Sequence, residues 1–347
     1  MRLFESLEDR RLFSVALVGT QIQITGGVGN DVIRVRQQDA ATIRVEDNGV
    51  VSLFADASVS SILVNSNAGN DTVQIISPAA LPVTEPATIN GGDGADNLTG
   101  GHGNDTINGG AQNDVINGGA GSDNLNGSTG NNTLSGGDGN DAMTAGTGAD
   151  SFDGGAGTDS VSYSTRTVAI NVSLDNVAND GQTTIITLPL PSLPIILREA
   201  DNVRDSVENV TTGSGNDTIV AGAGVANNTF NGGSGNDRLE GRSGNDVLLG
   251  SSGDDVLLGG AGNDNLQGST GNDKLLGGVG NDNMFGGSGD DVLTGGLGAD
   301  SMRGEAGNDF LLATDAFADM LIDGGTHFDI ADVDGVDPAT IAVELLA

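Results

Sequence analysis

An aspartate returns at every ninth residue through most of the second half of the chain, and the spacing does not slip. Asp237, Asp246, Asp255, Asp264, Asp273, Asp282, Asp291, Asp300 and Asp309 keep this step, most of them preceded by a run such as GGAGN. An earlier run has the same step at Asp96, Asp105, Asp114, Asp123, Asn132, Asp141, Asp150 and Asp159. Two residues after each comes one apolar residue: Leu98, Ile107, Ile116, Leu125, Leu134, Met143, Phe152 and Val161 in the first run, and Leu239, Leu248, Leu257, Leu266, Leu275, Met284, Leu293, Met302 and Leu311 in the second. A fixed period of this kind marks a stacked architecture, in which each repeat buries its apolar face only against its neighbours.

The unit GGxGxD-x-apolar-x divides into six turn residues and three strand residues. Glycine permits positive φ and close backbone approach. Asparagine at the fifth position (Asn104, Asn140, Asn245, Asn263, Asn272, Asn281, Asn308) tolerates left-handed backbone. In a three-residue strand the central side chain faces one way and its neighbours the other. One apolar residue per strand therefore points inward, and two facing strands make a thin core. Two units close a coil of eighteen residues, and coils stack at the strand spacing of about 4.8 Å. The expected fold class is all-β, a parallel β-roll or β-solenoid.

Stacking places aspartates eighteen residues apart above one another. Asp237, Asp255, Asp273, Asp291 and Asp309 form one column, and Asp246, Asp264, Asp282 and Asp300 the other. Carboxylates about 4 Å apart repel by roughly 1 kcal/mol even in water, so such a column closes only around cations. Composition agrees: 48 acidic residues face 13 basic ones, for a formal charge of −35. That charge excludes nucleic acid, which needs a basic footprint, and anionic membrane surfaces. No apolar run is long enough to span a bilayer. Calcium suits the turns, because it takes six to eight carboxylate and carbonyl oxygens in flexible geometry. Magnesium wants near-octahedral geometry, and zinc or copper wants histidine or cysteine. The chain has no cysteine, and its two histidines, His102 and His327, sit at variable turn positions and read as solvated surface residues.

This repeat resembles the hemolysin-type calcium-binding nonapeptide of the RTX (repeats-in-toxin) family, from Gly91 to Ser162 and from Gly213 to Leu312, about half of the chain. Members such as the serralysin-like proteins form a parallel β-roll with calcium between its turns. The resemblance implies calcium ligands at Asp96, Asp105, Asp114, Asp123, Asp141, Asp150, Asp159, Asp217, Asp237, Asp246, Asp255, Asp264, Asp273, Asp282, Asp291, Asp300 and Asp309, each shared by the ions above and below, with carbonyls from the glycines. Aspartate pairs eighteen apart number four in the first run and seven in the second, giving about eleven Ca2+ sites. Asn132 and Asn228 lack the charge, and Gln112 replaces a turn glycine, so the sites beside them are expected to be weaker or distorted.

Outside the two arrays the reading is coarser. Residues 1–14 are a targeting-like segment whose LEDRRLFS resembles a short motif near the start of some large bacterial secreted proteins. Residues 15–90 hold short strands (QIQI, VIRV, TIRV, SILV), two of them following GGVGND and SNAGND with Asp31 and Asp71. The first array spans 91–162, a β-rich insertion 163–211, the second array 212–312, and a C-terminal cap with a candidate secretion signal 313–347.

Relatives carry such rolls beside catalytic domains, but this sequence has no HExxH, no GxSxG and no cysteine nucleophile. Its carboxylates look equivalent, whereas a glycosidase separates two by environment. One constellation, Tyr163 with Arg166 in VSYSTRTV, has the chemistry for β-elimination or epimerisation of an acidic polysaccharide; the plainer reading is one buried aromatic and one exposed arginine. The expected protein is therefore not an enzyme. It is a secreted, extracellular or cell-surface protein that folds on calcium, with a structural or adhesion role and a cell-surface or matrix polysaccharide as candidate partner. The resemblance implies type I secretion. The alternatives are a calcium-dependent polysaccharide lyase or epimerase, and the non-catalytic remnant of an RTX toxin or protease.

Overall fold

The computed structural model describes residues 14–76, 82–167, 169–173, 181–186, 195–198, 202–203, 206–222, 224, 227–313, 319, 321–333 and 341–342. Residues 7–13 of LEDRRLFS, the prolines at 189, 191 and 194, and the VELLA tail lie outside the described residues. The chain divides into two compact units, Met1–Asp159 and Ser160–Ala347.

In the first unit, one parallel sheet runs through Gln21–Thr25, Ser61–Ala68, Ala87–Asp93, Thr106–Ala111, Asn124–Thr129 and Ala142–Thr144. A second runs through Val32–Asp39, Thr72–Ile76, Asn97–Gly101, Val115–Ala120, Thr133–Asp138 and Ser151–Ala156. The chain alternates between the sheets, so each coil places one strand in each. Register advances by eighteen residues within the array, with Ile107 opposite Leu125 and Ile116 opposite Leu134. Antiparallel strands finish the N-terminal side: Ser14–Val18 lies on Gln21–Thr25, and Val32–Asp39, Thr42–Asp47 and Val50–Ala55 form a meander. The alternating apolar residues of these early strands, such as Ile22, Ile33, Ile43 and Ile62, are fully buried.

The second unit repeats the plan. Ser160–Ser162 pairs with Asn209–Thr211, and Ile170–Ser173 with Thr218–Val220, both parallel. The insertion adds Gly181–Ile186 and Ile195–Arg198 as antiparallel strands beside Ile170–Ser173. Beyond them Leu257, Leu275, Leu293 and Leu311 stack in one sheet, and Leu248, Leu266, Met284 and Met302 in the other, all with 0% exposure. The core is one side chain deep from each sheet, as the lone apolar residue per repeat requires.

One expectation is corrected. Most strands of the arrays have six residues, as in Val256–Ala261, and not three; Ala142–Thr144 and Thr229–Asn231 keep the expected length. The ladder pairs Val256, Leu257 and Leu258, skips Gly259, and resumes at Gly260 and Ala261. The bend is thus absorbed inside the strand, with the register unchanged, where Gly260 takes a positive φ (+115°). Ser128, Arg242, Ser251, Ser269 and Glu305 take this second position at φ between 67° and 84°. The coil therefore imposes left-handed backbone even on residues that resist it.

Candidate metal centre

The turn Gly259–Asp264 stands for the rest. Asp264 is 2% exposed, and its Oδ1 accepts the backbone N–H of Asp246 in the coil before, at 2.8 Å. Its own N–H is donated to Oδ1 of Asp282 in the coil after, also at 2.8 Å. Each carboxylate thus reaches back to the preceding coil, and the columns inferred from spacing are continuous ladders. Every aspartate pair separated by eighteen residues is joined this way, from Asp96–Asp114, Asp105–Asp123, Asp123–Asp141 and Asp141–Asp159 through Asp237–Asp255 to Asp291–Asp309. Asp150 accepts from Asn132, and Asp217 from Ile170.

The second carboxylate oxygen is what asks for a ligand. Oδ2 is buried without a hydrogen-bond partner in Asp96, Asp105, Asp114, Asp123, Asp217, Asp237, Asp246, Asp255, Asp264, Asp273, Asp282, Asp291 and Asp309. One such oxygen is costly, and buried polar atoms are normally paired. An added Cβ at Gly259 would collide with Asp264 Oδ2 and lie 2.7 Å from the carbonyl oxygen of Gly277. The corresponding carbonyls lie 2.6 Å from a Cβ at Gly268 or Gly277 and 2.8 Å from one at Gly286. A carboxylate oxygen of one coil and a glycine carbonyl of the next therefore converge where the first glycine lacks a side chain. Among the described residues no three His, Cys, Asp or Glu side chains gather to hold a metal, so carbonyls must supply much of any coordination shell. His102 and His327 are exposed. An all-oxygen, carbonyl-rich set fits calcium.

The electrostatics are those of a cation site. Burial pushes Asp105, Asp237, Asp255, Asp282 and Asp291 up to about 7, with the charge of neighbouring column members adding to the rise. It raises Asp114, Asp123, Asp246 and Asp309 to about 6.

Two uncharged rungs behave as their side chains dictate. Asn132 accepts from Asp114 at 2.9 Å but turns its amide N–H onto the Gly130 carbonyl at 3.2 Å. The amide N–H of Asn228 is donated to Asp246 Oδ1 at 3.2 Å. Beside Gln112, which takes φ 79°, Asp114 keeps its place in the ladder.

The ladder also reaches residues that spacing alone misses. Asp31 donates its N–H to Asp71 Oδ1 at 2.7 Å, and Asp71 to Asp96 Oδ1 at 2.8 Å. At the other end Asp319 and Asp329 accept from Asp300 and Asp309. The turns GGVGND and SNAGND carry the signal for the first two; only the phase is broken by longer connections.

Two readings are corrected. The fifth-position asparagines are not in left-handed backbone; each Oδ1 accepts a backbone N–H one coil ahead, as Asn245 does from Asn263 and Asn263 from Asn281. Asparagine suits the position because its side chain reaches forward with an acceptor and no charge. Arg166 is 7% exposed and not a surface residue, while Tyr163 is fully buried. Their backbones are tied to the following coil: the Tyr163 N–H donates to the Thr211 carbonyl, and the Arg166 carbonyl accepts from the Ser214 N–H.

These features define a class: a parallel β-solenoid whose stacked turns present oxygen ligands to cations. The family model for the RTX calcium-binding nonapeptide repeat (4 copies) matches residues 90–161 and 205–311 in overlapping copies, just over half of the chain. The chain belongs to that family and is a calcium-binding repeat protein. No curated protein matches it. The matched regions are repeats throughout, and no helix among the described residues is long and apolar enough to cross a membrane.

Proposed function

We propose that the protein is a secreted β-roll that acquires its ordered form by binding about eleven calcium ions, held by the sixth-position aspartates of the two arrays with carbonyls from the turn glycines. The observation that carries this reading is the file of buried, unpartnered Oδ2 atoms, most of them beside a glycine carbonyl of the next coil. Extracellular modules bind calcium in the roughly 10⁻⁴ to 10⁻³ M range. Cytosolic calcium lies far below this, so the chain would stay loose until exported, and binding free energy becomes folding free energy. The role is structural or adhesive, with a cell-surface or matrix polysaccharide as candidate partner. A non-catalytic role is supported by the burial of Tyr163, which leaves it unable to meet a polymer, and by the near-equivalence of the column carboxylates.

A calcium titration followed by circular dichroism and equilibrium dialysis tests the reading. β-signal should rise cooperatively with calcium, saturate near eleven ions, and fail to appear at equal magnesium. Asp264→Ala, which breaks a column in mid-array, should lower both signal and ion count more than Asp217→Ala. Equal folding with magnesium would refute the ion assignment.

A further inference from the structure

The first residue of the turn is glycine through most of the arrays and Ala145 before Asp150, but it carries a hydroxyl at Ser66, five residues before Asp71, and at Thr212, five residues before Asp217. Both are buried, at 0% and 2% exposure. Ser66 Oγ donates to the carbonyl of Gly91 at 2.9 Å, and Thr212 Oγ1 to that of Gly232. Gly91 and Gly232 are the first-position glycines of the following turns on the same edge. Their carbonyls correspond to that of Gly277, which converges with Asp264 Oδ2 beside Gly259. Each hydroxyl also works against the burial that raises its own aspartate, Asp71 to about 6 and Asp217 upward. A hydroxyl therefore stands between a carboxylate and the next coil's carbonyl at two rungs. Where the first position is glycine that place is left clear, and Ala145 puts only a methyl group there before Asp150.

Room for the extra atoms comes from the chain. These rungs are separated from the next by 25 and 20 residues, where the regular coil takes 18. Their positions are matched as well: the Asp71 rung adjoins the start of the first array, and the Asp217 rung opens the corresponding edge of the second.

We propose that Ser66 and Thr212 are hydroxyl plugs that take the place of a calcium ion, so that each array begins on a rung that closes without metal. The O–H donor takes up the carbonyl that a cation would otherwise share, and its side chain fills the space beside the carboxylate, whose Oδ2 keeps no hydrogen-bond partner in Asp71 or Asp217. Each array then grows from a seed that is already ordered in low calcium. The inference rests on the calcium reading above and divides its site list: Asp217 loses its ion toward Asp237, while Asp237 keeps its ion toward Asp255.

The test is ion stoichiometry of the full-length chain, by equilibrium dialysis against calcium with elemental analysis. Ser66→Gly and Thr212→Gly should each bind one more calcium than the wild type, and their double variant two more. Thr212→Ser retains the hydroxyl and should leave the count unchanged. Circular dichroism in chelator should show less residual β-structure for both glycine variants. Glycine variants that bind the wild-type number overturn the plug while leaving the calcium reading intact, as would a Thr212→Ser variant that gains an ion. A wild-type chain that binds no calcium sinks both.

Discussion

Stripped of divalent cations at pH 7.5, both arrays should lose most of their β-structure, and acidification of the same sample toward pH 5.5 should restore part of it. In the coil, burial holds Asp237, Asp255, Asp282 and Asp291 near 7 and Asp246 and Asp309 near 6, against 3.8 for the ordinary side chain. A group whose pKa is raised on folding favours the folded state below its unfolded pKa. That support fades as pH rises through the folded value. Between about pH 4 and 7 the metal-free coil therefore loses stability with each step upward. At pH 7.5 these carboxylates are charged, buried and stacked. At about 1 kcal/mol each, the repulsion of like charges even in water, these six alone offset much of the ~5–15 kcal/mol that holds a typical domain. Calcium replaces the proton, so the loaded roll should be insensitive over the same interval. Far-ultraviolet circular dichroism in chelator and in 5–10 mM calcium, about tenfold above the weakest sites expected for extracellular modules, makes the comparison. A metal-free chain equally ordered at pH 7.5 and 5.5 would contradict the electrostatic account.

Gly259→Ala should be nearly as damaging within its own coil, although it adds one methyl group to a residue whose φ is unremarkable. The new carbon would collide with Asp264 Oδ2 and press on the Gly277 carbonyl at 2.7 Å. Neither neighbour can yield cheaply, since one is tied by Oδ1 to the Asp246 N–H and the other is held between Leu276 and Gly278, which are both paired in the parallel ladder. Overpacking of this kind costs about 1–3 kcal/mol, and the same carbon occupies the space where the oxygens converge. The variant should therefore bind at least one calcium fewer and need a several-fold higher calcium concentration for half-maximal folding. Gly29→Ala, where an added Cβ meets nothing within 4 Å, should do neither. Equal calcium midpoints for the two variants would show that the first glycine is not part of the site.

Much of this site could be read without coordinates because two units make one coil. An aspartate and its partner are then related by arithmetic, and the eleven regular pairings follow from spacing alone. Arithmetic fails where the coil lengthens. The links from Asp31 through Asp71 to Asp96, and from Asp309 to Asp329, cross 40, 25 and 20 residues, and no fixed period reveals them. The turn chemistry was legible in its residue types but not in its division of labour. Asparagine's tolerance of left-handed backbone is a property of the isolated residue, whereas its use here depends on a neighbour one coil away. The strand length was hidden for the same reason: glycines read as turn formers, yet a parallel neighbour in register keeps them in the ladder. Arg166 looked exposed because charge is usually solvated, whereas its coil is tied through its own carbonyl to Ser214, far along the chain, and the side chain is buried. The hydroxyls of Ser66 and Thr212 were visible as departures from glycine at a defined place, five residues before an aspartate.

The two side-chain ladders run in opposite senses, and this makes the ends of the stack inequivalent. Removing everything beyond a given coil takes away the carboxylate that would accept a buried amide, as Asp282 does for Asp264. In the side-chain ladders, removing everything on the N-terminal side of a coil strands amides such as that of Asn263, at the exposed rim, where water is an adequate substitute. Of the amides served by these side chains, shortening from the C-terminal side thus leaves the buried ones raw, and shortening from the N-terminal side the exposed ones.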